Sequence, residues 1–431
     1  MRATSRTVVA LALLSATAAA QEAKPDESVL GEFVVTSSAT ANERVPKIAV
    51  LPSLSPDMED VVVRGTVRRD LELTGLYDLI PDAKAPAGLY GFDDAVDVDA
   101  WKKLGAEAIV KAAARKHASG KIEVFGLAYF MNVGKDPVYE KKLLVDPKDV
   151  RVTAHRVTDA LLGALTGRPG GFASQFVYSG RWGTKSFRIF RMDSDGHDLR
   201  PISDDKDTSI APAWGPNQQI FYGTSKNYSP YRLMRFDGAK HERVAVPFKT
   251  SVYSVAFDKT HAKMAVAVAE STGSAIWVGK PDGSEMKKVS SSEMATHPVW
   301  SPSGKLAWVG GSNKKGSQRV YVDDKPVSPA GFTAGAPAFC DTEDGIRLVY
   351  SVSVGGDRHD IVMSGEKGGG IQRLTQNQGS NTAPACSPDG RLLAFFSTRK
   401  KPGTYFMSLK RWKTQQLNSQ LGESLRWEAL P

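Results

Sequence analysis

Side chains able to do chemistry are few and scattered in this 431-residue chain. Its seven histidines are His117, His155, His197, His241, His261, His297 and His359. No two have the H-x-x-x-H spacing that puts paired metal ligands on one helix face. A serine hydrolase would need its nucleophile on a G-x-S-x-G elbow. The nearest string, Gly310-Gly311-Ser312-Asn313-Lys314, lacks the final glycine. Asp193-Ser194-Asp195-Gly196-His197-Asp198 superficially resembles a calcium loop. Its glycine is misplaced and its twelfth position is Asp204 rather than Glu, so a hairpin turn is expected. His155 and Asp159 stand one helical turn apart, a spacing that suits a structural hydrogen bond or a domain contact. Catalytic, metal-binding and cofactor-binding residues are therefore expected to be none.

The elements around these residues follow a repeat of roughly 40 residues. Its clearest copies are Ala211-Pro212-Ala213-Trp214, His297-Pro298-Val299-Trp300, Ala336-Pro337-Ala338-Phe339 and Ala383-Pro384-Ala385-Cys386. Ser254-Val255-Ala256-Phe257 and Ser424-Leu425-Arg426-Trp427 are degenerate copies. That period suits a propeller blade of four short strands, here named A to D, and blades bury one another only in a closed ring. Asp-Gly pairs at Asp195-Gly196, Asp237-Gly238 and Asp282-Gly283 mark tight turns after the third strand. A B strand, Gln175–Tyr178, precedes any A strand, and the last A strand, around Leu425–Trp427, has no B after it. The C-terminal strand is therefore expected to complete the first of six blades, which removes two unpaired edges.

Cys340 and Cys386 fall one residue out of register in neighbouring repeats. Opposite side-chain directions would keep them apart, so two buried thiols acting as small hydrophobes are expected.

Residues 1–20 carry Arg2 and Arg6, a short apolar run and Ala18-Ala19-Ala20, the pattern of a cleaved secretory signal peptide. Residues 21–44 read as a flexible arm, polar and containing Pro25. Between 45 and 167, strands alternate with helices, which predicts a small α/β domain. Its helices are expected over Pro56–Leu73, with Ser55 as N-cap, over Val98–Leu104 and over Val152–Leu165. Gly167–Gly171 links this domain to a propeller over 172–431.

The chain has 56 Lys+Arg against 47 Asp+Glu; losing the two leader arginines leaves +7 of the nine excess positive charges. This mild excess is spread along the chain, without the basic clusters and interleaved aromatics of a nucleic-acid surface. No transmembrane segment is expected in the mature chain.

The segments Thr74-Gly75-Leu76-Tyr77, Trp101–Glu107, Ala154-His155-Arg156-Val157-Thr158-Asp159 and Gly171-Phe172-Ala173-Ser174 are followed by the P-A-W/F and S-P-D-G repeats. In these segments the chain resembles the TolB family, the periplasmic component of the Tol–Pal envelope system. The likeness runs from about residue 45 to 431. It implies a periplasmic, non-enzymatic scaffold that links the inner-membrane Tol complex to the lipoprotein Pal. That role would serve outer-membrane integrity and invagination during cell division. TolA and other Tol proteins are the further partners it implies, with TolA contacting the N-terminal arm. The alternative is a secreted propeller enzyme, a peptidase, hydrolase or lyase, with its active site in the channel.

Loops that lead from strand D of one blade into strand A of the next meet near the channel. They carry Thr208, Ser209, Ser251, Tyr253, Met294, Thr296, His297, Thr333, Ser380, Asn381 and Thr382. A polar rim with a few larger anchors suits a protein interface, and the resemblance makes Pal its partner.

Overall fold

The computed structural model describes residues 26–31, 44–53, 57–88, 90–183, 186–312 and 317–431. The leader, most of the arm, and the expected capping pair Ser55 and Pro56 lie outside the described residues.

Strand β1 (Lys47–Val50) lies between two parallel neighbours in the N-terminal sheet. It pairs in parallel with β2 (Asp78–Leu79) and with β3 (Ala108–Lys116). Strands β4 (Ile122–Phe130) and β5 (Tyr139–Val145) extend the sheet antiparallel, in the order β2-β1-β3-β4-β5. Helix α1 (Met58–Thr74) puts Val63, Val67 and Leu71 on one buried face, and α3 (Val150–Thr166) does so with Ala154, Val157 and Leu161. Both end at a glycine in the left-handed region, Gly75 (φ 63°) and Gly167 (φ 78°). The short α2 spans Val98–Lys103 and buries Trp101. Helix α1 begins two residues later than the sequence predicts, after Asp57. Strand β5 escapes sequence reading because it is an edge strand with exposed Glu140, Lys141 and Lys142, so it shows no apolar alternation.

Six four-stranded sheets follow, each ordered A-B-C-D. Their A strands are Thr208–Trp214, Val252–Phe257, Met294–Trp300, Ala334–Thr342, Asn381–Cys386 and Glu423–Ala429. These A strands touch their neighbours in order all the way round, and the last touches the first. Glu423–Ala429 pairs with the B strand Ser174–Trp182, with Trp427 opposite Phe176 and Arg426 opposite Val177. The chain is thus an α/β region followed by a six-bladed propeller closed by its C-terminal strand. One apolar core runs through both parts, from Val67 and Leu161 to Phe176, Phe406 and Trp427. Among the described residues, no helix is long and apolar enough to cross a membrane.

Two expectations need correction. Cys340 and Cys386 are joined in a disulfide, with Cα atoms 5.3 Å apart. Neighbouring A strands converge at the ring's inner edge, and that approach outweighs the one-residue offset. The second concerns the arm, whose described segment 26–31 is folded. Glu27–Leu30 form a single 3-10 turn, capped by Asp26, against the propeller. Leu30 is fully buried in a cluster with Phe332, Val354 and Tyr350. Glu27 pairs with Arg373 at 2.8 Å, and Asp360 holds the other side of that guanidinium. One apolar anchor and one ion pair are enough to order a segment whose composition is otherwise polar.

Candidate functional site

A bulge interrupts every A–B pairing of the propeller. The register slips between Phe221 and Gly223, Val252 and Ser254, Thr296 and Val299, Gly335 and Ala338, Thr382 and Ala385, and Glu423 and Arg426. In five blades the slip carries a non-glycine residue at positive φ: Ala211 (49°), His297 (54°), Ala336 (48°), Ala383 (50°) and Ser424 (53°). Such backbone is costly, and four of these residues precede the motif proline. The x-P-x-W signature is therefore a bulge written in sequence, and the bulge re-aims side chains towards the channel. Serines accept the N–H groups so displaced: Ala211 N donates to Ser179 Oγ at 2.9 Å and His297 N to Ser254 Oγ at 3.3 Å.

Several of the expected partner residues meet on this frame. Tyr253, Met294, Thr296 and His297 line one cavity of about 420 Å³, together with Ile210, Ala211 and Ser424. All four are half-buried. His297 is enclosed enough that burial, helped by the positive charge of Arg426, lowers its imidazole to about 4, so it is neutral at neutral pH. The structure does not bring Thr208, Ser209, Ser251, Thr333, Ser380, Asn381 or Thr382 to that cavity. Ser209 is buried, with its hydroxyl 3.2 Å from Thr224 Oγ1. Asn381 is fully buried, accepting from Ser397 Oγ at 2.8 Å and from Arg399 Nη2 at 3.0 Å. These two side chains are committed to their own blades.

A second constellation ties the two domains together. Asp70 of α1 accepts from His155 Nδ1 and from Thr158 Oγ1, both at 2.8 Å. On its other side, His155 Nε2 faces Asp195 Oδ2 at 4.0 Å. Arg151 pairs with Asp195 and reaches Asp193 Oδ2 at 3.4 Å, and Gln175 donates to Asp193 at 2.8 Å. Burial alone would lower the His155 pKa. The charge of Asp70, its hydrogen bond and the charge of Asp195 outweigh burial and lift it to about 9, against the opposing charge of Arg151. An imidazolium is therefore sandwiched between a carboxylate of each domain. Ligand atoms of Asp70, His155 and Asp195 lie within 4.8 Å of one another. A divalent ion there would meet the Arg151 guanidinium already on Asp195, so the arrangement suits an ion-pair junction better than a metal centre. No hydroxyl or thiol nucleophile hydrogen-bonds to His155 among the described residues; Thr158 donates to Asp70 instead.

Asp159, one turn on, accepts the backbone N–H groups of Phe172 (2.7 Å) and Ala173 (2.8 Å), fixing the linker. Burial raises its carboxyl to about 7 in spite of those two donors. The expected hairpin at Asp193–Asp198 is present, with Gly196 at φ 87°. Sequence reading missed that its Asp195 is the propeller's half of the junction. The only available signal was an acidic residue placed where an exposed turn residue would normally sit.

A family model for the TolB amino-terminal domain matches residues 38–127. The Tol-Pal system protein TolB of Anaeromyxobacter dehalogenans strain 2CP-C is 26% identical over 237 residues, 54% of this chain and 54% of that protein. The Tol-Pal system protein TolB of Albidiferax ferrireducens is 26% identical over 205 residues, 47% of this chain and 46% of that protein. The chain thus spans about half the length of the curated relatives it matches. A crystal structure of TolB from Acinetobacter baumannii superposes with a TM-score of 0.74 at 20% identity, over 89% of this chain and 97% of that one. This last likeness bears on the fold, the α/β region and the propeller in the same order. The amino-terminal domain match, the curated relatives and the shared fold agree in supporting a likeness of this chain to the TolB family.

Proposed function

We propose that this protein is a periplasmic, non-enzymatic scaffold of the Tol–Pal system. It binds Pal at the channel-side face of the propeller and engages TolA through residues 21–44. The observation that carries the reading is the amino-terminal domain match together with curated relatives named as Tol-Pal system proteins. The cavity at Tyr253, Met294, Thr296 and His297 supports the choice of face. Rigid strands hold its walls, and two aromatic or sulfur-bearing side chains sit among small polar ones, as at the centre of a protein interface. A neutral His297 adds no charge to desolvate on binding. The same reading gives it a role in outer-membrane integrity and cell division.

Calorimetric titration of the full chain against Pal tests this. Tyr253→Ala combined with His297→Ala is expected to weaken binding by about 1–2 kcal/mol per truncated contact, with unchanged melting. Wild-type affinity in the double variant moves the site off this face. Absence of any Pal binding by the unmodified chain removes the reading itself.

A further inference from the structure

Further along the same A strands, a cavity of about 390 Å³ is lined by the A-strand motifs of all six blades. The position between the motif's proline and its large residue is Ala213, Ala256, Val299, Ala338 and Ala385 in five blades. In the sixth it is Arg426. One guanidinium therefore stands in a ring of small apolar side chains, on the strand that closes the propeller. It sits just past that strand's bulge and lines the cavity.

Arg426 makes one hydrogen bond, Nη1 to the Leu425 carbonyl at 3.0 Å. It has no ion pair with a described residue. A guanidinium carries five N–H donors in a planar fork and stays charged at any physiological pH. Enclosing it without a counter-ion is costly, and burial alone lowers its pKa to about 10. The three carboxylates that share the cavity, Asp258, Asp341 and Glu428, make no hydrogen bond or ion pair with Arg426. Asp258 is occupied in its own turn by Thr260 Oγ1 (2.6 Å) and Lys263 N (2.7 Å). Glu428, two residues along the same strand, is raised by burial with no relief from Arg426. Lys259 and His261 line the mouth and add no negative charge. The buried indole N–H groups of Trp214 and Trp300, which also line this cavity, have no acceptor. Trp277 and Trp308 leave theirs unpaired elsewhere in the ring, so the indoles alone point to nothing; the guanidinium does.

We propose that the propeller channel binds one small tetrahedral oxyanion, of the phosphate or sulfate class, on the guanidinium of Arg426. Two of its free N–H groups would make the paired, charge-assisted contact that a planar fork forms with such an ion. The five small neighbours leave the space for it. Its lining shares no residue with the cavity assigned to Pal, and its test needs no Pal.

Inorganic phosphate is titrated into the full chain at constant ionic strength, with calorimetry and phosphorus NMR line width as readouts. Phosphate and sulfate stabilise folded proteins generally, so the decisive quantity is the difference between variants rather than a rise in melting temperature. Saturable one-to-one binding is expected in the wild type. Arg426→Met should weaken it at least tenfold, and Lys259→Ala, at the exposed mouth, should change it less than twofold. Ala385→Glu places a carboxylate in the same ring with Arg426 intact; it should suppress binding by satisfying the guanidinium from within. This second variant decides the matter if Arg426→Met does not fold. No saturable binding by the wild type, or binding as tight as the wild type's in Arg426→Met or in Ala385→Glu, overturns the proposal.

Discussion

Trp427 is the side chain on which ring closure most depends, and its truncation has a calculable cost. Its ring lies between Phe176 of the same blade (centroids 4.4 Å apart) and Phe406 of the preceding blade (5.0 Å). Its Nε1 donates to Ser174 Oγ at 2.7 Å, and only 8% of the residue is exposed. Burying an indole removes roughly 200 Å² from water, worth about 5 kcal/mol at ~25 cal/mol per Å². Large-to-small core changes of this kind typically cost about 3–5 kcal/mol once partial collapse of the cavity is allowed. Losing the bond to Ser174 adds about 1 kcal/mol.

Trp427→Ala should therefore lower stability by about 4 kcal/mol, and it should do so at both ends of the chain. Strand Glu423–Ala429 is hydrogen-bonded to Ser174–Trp182, so opening one exposes the other. Urea unfolding followed by circular dichroism gives the first number, and amide exchange of residues 174–182 gives the second. Trp182→Ala, in the same blade but 44% exposed, is the control and should cost under about 1 kcal/mol. A loss below about 1 kcal/mol in Trp427→Ala, or unchanged exchange at 174–182, would refute the closure argument. Deleting residues 420–431 is the more severe version and should abolish cooperative unfolding of the propeller.

Two further outcomes follow from the junctions. The Cys340–Cys386 bond closes a segment of 46 residues, for which chain entropy predicts about 4 kcal/mol of stabilisation. Cys340→Ala with Cys386→Ala should lose much of that in equilibrium unfolding, and an unchanged midpoint would mean the bond constrains little. The pKa of His155 is higher in the folded state (about 9) than in the unfolded chain, where an imidazole titrates near 6.5. Its contribution is thus fully present below about pH 6.5 and is lost as pH rises through about 9. The shift corresponds to about 3 kcal/mol at ~1.4 kcal/mol per pH unit. Unfolding free energies at pH 6 and pH 9.5 should differ by about 1–3 kcal/mol more in the wild type than in His155→Asn. Equal pH dependence in the two proteins would show that the imidazolium does not hold the junction.

How far the molecule can be read from its residues depends on whether the signal is local. The blade count, the strand order and the closure are legible because each blade repeats one pattern and the unpaired A and B strands identify themselves. The helices of the α/β region are legible from apolar spacing, to within two residues at their ends. Strand β5 is not, because an edge strand held by one neighbour needs no buried alternation. The channel-side cavity is half legible. Tyr253, Met294, Thr296 and His297 do come together, whereas Ser209 and Asn381, equally polar and equally placed in their repeats, turn inward to satisfy hydrogen bonds. The direction a small polar side chain takes in a loop is set by the nearest unsatisfied partner, which sequence spacing does not reveal.

By itself, the sequence determined the architecture: a repeat that can bury its faces only as a closed ring, preceded by an α/β region of different periodicity. The tertiary structure alone decided what crosses between repeats and domains. The Cys340–Cys386 bond, the docking of Glu27–Leu30, the Asp70–His155–Asp195 junction and the solitary Arg426 in its ring of small residues all join positions far apart in the chain. Periodicity reports which face of an element is buried. It carries no information about which distant side chain is buried against it, and the charge balance at each of these places is set by that pairing.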